Sequence, residues 1–412
     1  MKKLFVIGIA ALLLVVFTAP AMAKVKIGGI IFTDIFYLDR NKNDYFNPNR
    51  FKQPEAQRTS YSNTAIQLPN ITRLYGRWTN EDNVGMYIEF GIGQTASGID
   101  GQTDDGVTLR HAYGWWDVNP MFQIMAGKTT TPFSPLNPSQ LVGTRSGSVN
   151  IIGVGYGDFY AGRFVQIRGT FKFGKVARLA IALVDPNGVL ATGNLHPAQS
   201  GSPYAADHTT IPRIDVGVPI YLGPVHIYPS FAWQKRSYDN VTYNNKPVDN
   251  DLQSYIGSLG AKLGIGPFAL SAEGNWGKNW ANLRGLAGVS PSVGWNPVAG
   301  KGCIAGATVD QNNKIYDATT FSYWVDLSFK FGPVTPHAMF GQQQSDSVAI
   351  GTSDKTRART TMYGISVPID LAKGFRIRPE IMFYDDGTGE IGNTTQDFGH
   401  YAIYGLQFQI TF

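Results

Sequence analysis

The sequence predicts an all-β chain that closes into a transmembrane antiparallel up-and-down barrel of about 16 strands. Its composition is one reason, because 47 glycines and 13% aromatic residues accompany only 16% charged residues, whereas soluble domains carry about 25%. A second reason is the regular exchange of short Gly/Pro turns with long polar segments. The third is the stretch 400–412, which alternates in polarity and stops on Phe412. An edge or core strand of a soluble β protein is the alternative explanation for that last stretch taken alone.

The first 23 residues have the layout of a secretory signal peptide. Lys2 and Lys3 precede an apolar run of 14 residues at 4–17, and the small residues up to Ala23 supply a cleavage site. A spanning helix needs about 20 apolar residues, so we expect cleavage after Ala23 and a mature barrel over 24–412. A buried N-terminal helix is the alternative. The mature net charge is near +3, which argues against a nucleic-acid partner.

Short turns and long loops alternate along the rest of the chain. Seven tight turns are marked by Gly, Pro or Asn: Asn80–Asn83, Asn119-Pro120, Gly174-Lys175, Gly223-Pro224, Gly266-Pro267, Gly332-Pro333 and Lys373-Gly374. Eight longer polar segments lie between them: 39–62, 94–106, 129–161, 185–210, 236–250, 278–317, 344–357 and 385–397. Together they connect 16 strands, and we expect the turns in the periplasm and the loops outside the cell.

Most strands divide into an apolar and a polar face, as a wall between lipid and water requires. In the third strand, for example, Val84, Met86 and Ile88 point to one side and Tyr87 and Glu89 to the other. The period of two makes this division a direct consequence of strand geometry.

The last strand keeps the alternation with two exceptions. Tyr401 and Ile403 fall on its otherwise polar parity. Aromatic residues gather near strand ends, where interfacial girdles are expected: Tyr37, Trp78, Trp115, Trp116, Tyr221, Trp233, Trp276, Phe331 and Phe412.

A barrel of this size encloses an aqueous channel, so its polar face becomes the functional surface. The basic residues assigned to that face are Lys26, Arg73, Arg77, Arg110, Arg168, Lys172, Arg178, Arg213, Lys262, Lys330, Arg376 and Arg378. The acidic ones are Asp34, Glu89, Asp215, Glu273, Asp326 and Glu380. This excess of bases favours a mild anion preference. The alternative is that the charges only solvate the lumen or pair across strands.

The passage after the fifth strand resembles bacterial outer-membrane porins. Met125-Ala126-Gly127-Lys128 closes the strand, and Thr129-Thr130-Thr131-Pro132-Phe133-Ser134-Pro135 follows. The resemblance extends in layout to the cleaved leader, the strand number, the long third loop and the C-terminal Phe. It implies a passive channel for small hydrophilic solutes in the lipid of the outer membrane, usually as a homotrimer, with loop 129–161 folded into the barrel.

The resemblance also assigns a constriction. Arg145 and Asp158 of the loop would face Arg73, Arg110 and Arg168 of the wall, and the further pore-lining residues are Arg77, Glu89, Lys172, Arg376 and Arg378. Such loops often carry several acids, but residues 129–161 contain only Asp158. This departure makes a strong transverse field doubtful and favours anions. A loop-stabilising pair of Arg145 and Asp158 is the alternative.

Three other functions are alternatives to the diffusion channel. A substrate-specific anion channel, for example for phosphate, would need its arginines in a line along one wall. A barrel enzyme would need a clustered nucleophile and base, and the catalytic motifs Gly-x-Ser-x-Gly and His-Glu-x-x-His are absent from the sequence. A scaffold for a partner protein is neither supported nor excluded.

The sequence gives little indication of a cofactor or metal. His196 and His208 form a weak candidate metal pair in the fourth loop, because short histidine spacings without cysteines are usually coincidental. Cys303 is the only cysteine, so an intramolecular disulfide cannot form. We expect an isolated thiol there, with pairing to another chain as the weaker alternative.

Overall fold

The computed structural model describes residues 24–41, 61–69, 71–94, 105–142, 153, 155–159, 162–186, 207–243, 246–280, 283, 308–309, 315–348, 355–385, 387–391, 394–397 and 399–412. They form a closed antiparallel barrel of 16 strands, as predicted. The strands of the first half are β1 (Lys24–Arg40), β2 (Tyr61–Gln67 and Arg73–Thr79), β3 (Val84–Gln94), β4 (Asp105–Asn119), β5 (Phe122–Thr130), β6 (Arg163–Phe173), β7 (Ala177–Val184) and β8 (Arg213–Gly217 and Ile220–Leu222).

The second half continues the same meander. Its strands are β9 (Val225–Tyr243), β10 (Lys246–Ile265), β11 (Phe268–Lys278), β12 (Thr319–Phe329), β13 (His337–Val348), β14 (Lys355–Ser366 and Ile369–Ala372), β15 (Phe375–Asp385 and Thr388–Ile391) and β16 (Thr394–Asp397 and His400–Thr411). The barrel closes because β16 pairs with β1, in a register that runs from Ile30 opposite Thr411 to Arg40 opposite Tyr401.

All seven tight turns lie where the sequence predicts them, between successive strands at one end of the barrel. The predicted extent of the fifth loop is wrong, because β9 and β10 pair as far as Tyr243 and Lys246. Most of 236–250 is therefore strand and not loop. The eighth loop is likewise shortened by the hairpin of Thr388–Ile391 and Thr394–Asp397. A short hairpin, Thr308–Val309 with Ile315–Tyr316, lies within the predicted sixth loop.

The outer face of the barrel is apolar, as the alternation predicts. Ile27, Val84, Ile167, Leu259 and Phe412 are among its exposed side chains. This apolar outer surface is suited to lipid, since lipid-facing and lumen-facing residues alternate along each strand.

The prediction of a position in the interfacial aromatic girdle is wrong for two residues. Trp115 is buried on the lumenal face of β4, opposite Gly85. Tyr221 also turns inward, where its ring contacts His226 and the Arg178 guanidinium. Both lie near strand ends, but parity and not position along the strand decides which face a side chain occupies.

The predicted signal peptide and Cys303 lie outside the described residues, as do Arg145 and His196. Cleavage after Ala23 therefore stays a prediction. In the described segments, no helix combines the length and the hydropathy that crossing a bilayer requires.

Candidate pore lining and constriction loop

The third loop folds into the barrel, and its first arm, 131–142, follows the inner wall. Pro132 lies against Gly217 of β8, and Leu136 lies against Gly260 of β10. Val142, at the end of this arm, reaches Gly405 of β16. The arm thus passes over the inner faces of the strands from β8 to β16. Irregular backbone at this depth is tolerated because it is buried in protein or lines water.

Three wall carboxylates hold this arm. Glu273 accepts hydrogen bonds from the Ser134 hydroxyl at 2.6 Å and from the main-chain N–H of Leu136 at 3.4 Å. Asp326 accepts from the N–H of Ser139 at 2.9 Å. Glu380 accepts from the N–H groups of Leu141 and Val142 at 3.2 and 3.0 Å. Loop residues thus supply the donors that these inward-facing acids would otherwise take from water.

The arm also covers an apolar patch on the inner wall. The members of the buried cluster are Leu136, Val142 and Tyr156 of the loop, with Phe36, Leu38, Trp324, Met339, Met362, Met382, Tyr384, Tyr401 and Ile403 of the wall. The two exceptions in the final strand, Tyr401 and Ile403, are explained by this contact. Burial of apolar surface contributes roughly 25 cal/mol per Å², so the patch stabilises the inserted position of the loop.

The return arm, 153 and 155–159, lies on the same side. Ser322 and Thr360 donate their hydroxyl hydrogens to the main-chain oxygens of Gly157 and Gly155, at 2.8 and 2.6 Å. Gly157 has φ 124°, and a Cβ there would collide with the main-chain oxygen of Tyr323. Only glycine satisfies both constraints, so this position fixes how closely the loop approaches β12.

Asp158 departs from the predicted arrangement. It is fully buried and does not face the pore. Burial and the nearby Glu273 carboxyl raise the pKa of Asp158 well above its usual range, against a smaller effect of the Phe159 N–H. The neighbouring Phe159 ring packs edge-on against Phe133 and Trp280, at centroid distances of 5.4 and 5.2 Å. Asp158 is therefore a buried carboxyl within the return arm of the loop and not a constriction acid.

The contacts of the described loop residues lie on β8–β16 and β1, and β2–β7 form the opposite wall. A cluster of ionised groups centres there on Glu89, which binds Arg110 Nε at 2.6 Å and lies 3.8 Å from Arg73 Nε. Arg163 Nε donates to His111 Nε2 at 2.9 Å, and the His111 Nδ1 lies 2.8 Å from the Thr129 hydroxyl. Within the described residues, the guanidinium groups of Arg73, Arg110 and Arg163 thus lie around the carboxylate of Glu89 and the imidazole of His111.

Further basic groups extend towards the short-turn end of the barrel. Arg77 is exposed, and its guanidinium carbon lies 4.8 Å from the ring centroid of Trp115. Arg168 donates to the main-chain oxygen of Thr130 at 3.4 Å. Lys172 forms an ion pair with Asp117, which balances its charge.

The remaining predicted pore residues belong to the loop-covered side. Arg376 pairs with Asp370 at 2.6 Å. Arg378 is buried and donates to the main-chain oxygen of Ser139 at 2.8 Å, so it holds the loop. The described part of the chain contains no group of three His, Cys, Asp or Glu residues arranged to bind a metal.

The six acids assigned to the lumen are all buried. Besides the three that bind the loop and Glu89, Asp34 accepts from Gln67 and Gln407 at 3.3 and 2.8 Å, and Asp215 pairs with Arg213 at 2.7 Å. Their charge is thus enclosed in hydrogen bonds, whereas Arg77, Arg178, Lys26, Lys262 and Lys330 are exposed.

Sequence reasoning missed the carboxylates' contacts with the loop, as well as His111 and Arg163 in the cluster around Glu89. Arg110 and His111 both face inward because the β3–β4 pairing shifts register between Glu89 and Phe90. Such a bulge is not visible in simple alternation. Apolar residues on the otherwise polar, lumenal face of the strands, such as Tyr401 and Ile403, were the available signal for where the loop packs against the wall.

A closed barrel with a lipid-facing apolar exterior, a charged interior and a loop folded inside is the architecture of an outer-membrane channel. The chain belongs to the Gram-negative porin family, whose model matches residues 10–389. It is an outer-membrane diffusion channel and not an enzyme.

Solved structures agree on the fold. The outer membrane channel DcaP of Acinetobacter baumannii has 15% identity and a TM-score of 0.61, over 96% of this chain and 99% of that chain. The anion-selective porin from Comamonas acidovorans has 16% identity and a TM-score of 0.54, over 95% and 100%. The trimer form of OmpT from Vibrio cholerae has 10% identity and a TM-score of 0.53, over 95% and 99%. No curated protein matches the chain.

Proposed function

We propose that this porin conducts small anions in preference to cations. The observation that carries the proposal is the difference in solvent exposure between the acidic and the basic side chains of the lumen. The six acids assigned to the inner wall are buried in hydrogen bonds to the loop or to other wall residues, and Asp117 and Asp370 are paired with Lys172 and Arg376, whereas several bases are exposed. Low-dielectric walls strengthen the field of such exposed bases, and basic linings favour anions in pores. A structural neighbour, the Comamonas acidovorans porin, is described as anion-selective.

The role of individual residues follows from their surroundings. Arg73, Arg77 and Arg168 of the uncovered wall are the residues to which we assign the preference, with Arg110 partly balanced by Glu89. Arg376 and Lys172 contribute less because Asp370 and Asp117 accompany them. The side of the pore that the loop covers contributes shape more than charge.

A salt-gradient measurement tests the preference. The purified porin is reconstituted in a planar bilayer with KCl at two concentrations, and the reversal potential is recorded. We expect the sign that chloride permeation gives. A potential of the opposite sign would contradict the proposal, and saturable block by phosphate would instead favour a phosphate-specific channel.

We further propose that the mature chain starts at Lys24 and assembles as a homotrimer. The leader pattern of residues 1–23 supports the first statement, and the OmpT structure solved as a trimer supports the second. The mass of the chain purified from outer membranes tests the cleavage site. Native mass spectrometry in detergent tests the assembly, and a monomer alone would contradict it.

A further inference from the structure

An aromatic row lies on the uncovered wall of the lumen, and the proposed function does not use it. The row consists of Tyr75 on β2, Tyr87 on β3, and Tyr113 and Trp115 on β4. The centroid distances are 5.9 Å from Tyr75 to Tyr87, 5.6 Å from Tyr87 to Tyr113, and 5.8 Å from Tyr113 to Trp115. The rings therefore form one continuous surface.

The row lies along the wall and does not project across the pore. A Cβ at Gly28 would collide with the Tyr75 ring, and a Cβ at Gly85 would collide with the Trp115 indole. The two glycines thus let large rings lie against the neighbouring strand. The three tyrosines are only partly buried, so each keeps part of its surface accessible from the lumen.

A cation accompanies the rings at one end. The Arg77 guanidinium lies over the Trp115 ring at 4.8 Å, and Arg77 pairs across the strands with Tyr87. Stacking on an indole restrains a guanidinium without neutralising it. Arg77 is exposed, so a carboxylate in the lumen can approach it beside the tyrosines.

We infer that this aromatic row, with Arg77, is a binding track for organic anions that carry a flat apolar ring, such as aromatic carboxylates. The carboxylate binds Arg77 while the ring packs against Tyr113 and its neighbours. Aromatic pairs favour offset or edge-on contact and add to the free energy of area burial. Small inorganic anions pass the same wall without this contact. The inference rests on the proposed anion channel and adds the class of solute.

The test compares block of KCl current by benzoate, acetate and cyclohexanecarboxylate in planar bilayers. All three carry one carboxylate, but only benzoate has a flat ring. We expect saturable block by benzoate at a concentration about two- to tenfold lower than for acetate, since one ring contact contributes a factor of that size. Equal potency of benzoate and acetate overturns the inference, and equal potency of benzoate and cyclohexanecarboxylate overturns the flat-ring requirement.

Two matched pairs of variants locate the site. Trp115→Leu and Tyr113→Leu remove rings from the row, whereas Trp116→Leu and Tyr363→Leu make the same changes on exposed outward-facing residues. We expect benzoate block to weaken about fivefold in the two lumenal variants, Trp115→Leu and Tyr113→Leu, and to persist in the two outward-facing variants. Block that persists in both lumenal variants overturns the assignment, and if these variants fail to fold, the three-carboxylate comparison on the native porin still decides.

Failure of the proposed function gives a different result. Cation preference in the KCl gradient, without any organic anion present, would contradict the anion channel itself. An anion-preferring pore that does not distinguish benzoate from acetate would contradict only the aromatic track.

Discussion

At the scale of single residues, Arg168 offers the sharpest test of selectivity. Within the described residues no carboxylate forms an ion pair with it, and its guanidinium is held by the main-chain oxygen of Thr130. We expect Arg168→Glu to lower the chloride-to-potassium permeability ratio by roughly two- to fivefold, since the change reverses a charge beside the low-dielectric wall. The reversal potential in a KCl gradient measures it.

The control for Arg168→Glu is Lys175→Glu. It makes the same charge change on an exposed turn between β6 and β7, where bulk water and salt screen it. An unchanged ratio in Arg168→Glu, or an equal change in both variants, would remove Arg168 from the selectivity region.

The buried carboxyl of Asp158 makes the stability of the folded protein depend on pH. Its pKa is raised in the folded protein by burial and by Glu273, so the folded state holds the proton more tightly than the unfolded state. The contribution of this group to the free energy of unfolding is fully present below the ordinary pKa of an aspartate. It is lost as the pH rises through the raised pKa that the group has in the folded protein. We expect Asp158→Asn to remove this loss and to stabilise the porin by about 1–3 kcal/mol at alkaline pH.

Urea unfolding in detergent at pH 5 and pH 9 measures that effect. The native porin should lose more stability between the two pH values than Asp158→Asn does. Asp82→Asn, in the exposed turn between β2 and β3, should behave like the native chain. A native porin and an Asp158→Asn variant with the same pH dependence would show that the carboxyl is not buried as described.

At the scale of elements, the third loop depends on close approach to the wall. Gly157→Ala adds a Cβ that would meet the main-chain oxygen of Tyr323, at a φ that alanine disfavours. We expect the return arm to move away from β12 and the single-channel conductance to change by at least about a fifth, because the loop shares the lumen with the conducting path.

Gly264→Ala is the matched control for the loop. Gly264 has open space around its missing Cβ and an ordinary φ, so its conductance should stay at the native value. Native conductance in Gly157→Ala, with the variant folded, would mean that the return arm does not limit the pore.

The loop also shows how far an element can be predicted from sequence. The family resemblance predicts that 129–161 folds into the barrel, whereas the residues that anchor the loop are identified only from the three-dimensional fold. Glu273, Asp326 and Glu380 lie on three different strands, and only barrel closure brings them under one continuous arm. The position of Asp158 at the constriction is implied by the same resemblance, but the role of this residue depends on its burial, which the local sequence does not reveal.

At the scale of the whole molecule, local signals determine the number of strands. Seven short turns, four of them Gly-Pro or Asn-Pro, are each recognised from a few neighbouring residues, and with eight longer loops they give 16 strands with short connections at one end. Parity likewise predicts which residues face lipid, since it depends only on strand geometry. The interior is harder to predict because three apolar residues lie on the otherwise polar, lumenal face of their strands: Met382, Tyr401 and Ile403. They pack against the third loop, which is more than a hundred residues away in sequence.

Closure of the barrel between its first and last strands is the final prediction. Tyr37 and Tyr404 are opposite each other in the β1–β16 register and both face outward. Paired residues of antiparallel strands have Cα separations of about 4.5–5.5 Å, within the range that a disulfide spans. In a Cys303→Ser background, we expect Tyr37→Cys with Tyr404→Cys to form an intramolecular disulfide under mild oxidation.

The cross-link is measured by gel mobility of the heat-unfolded chain with and without reductant, since it closes a loop over nearly the whole mature sequence. The control combines Tyr37→Cys with Ile410→Cys. Ile410 is paired with Ile31, six residues along the strand from the partner of Tyr37, a distance of roughly 20 Å. Cross-linking of the control but not of the Tyr37–Tyr404 pair would mean that the strands join in another register. Cross-links only between separate chains would mean that β1 and β16 do not join within one molecule, and then the inner wall that seats the loop could not exist.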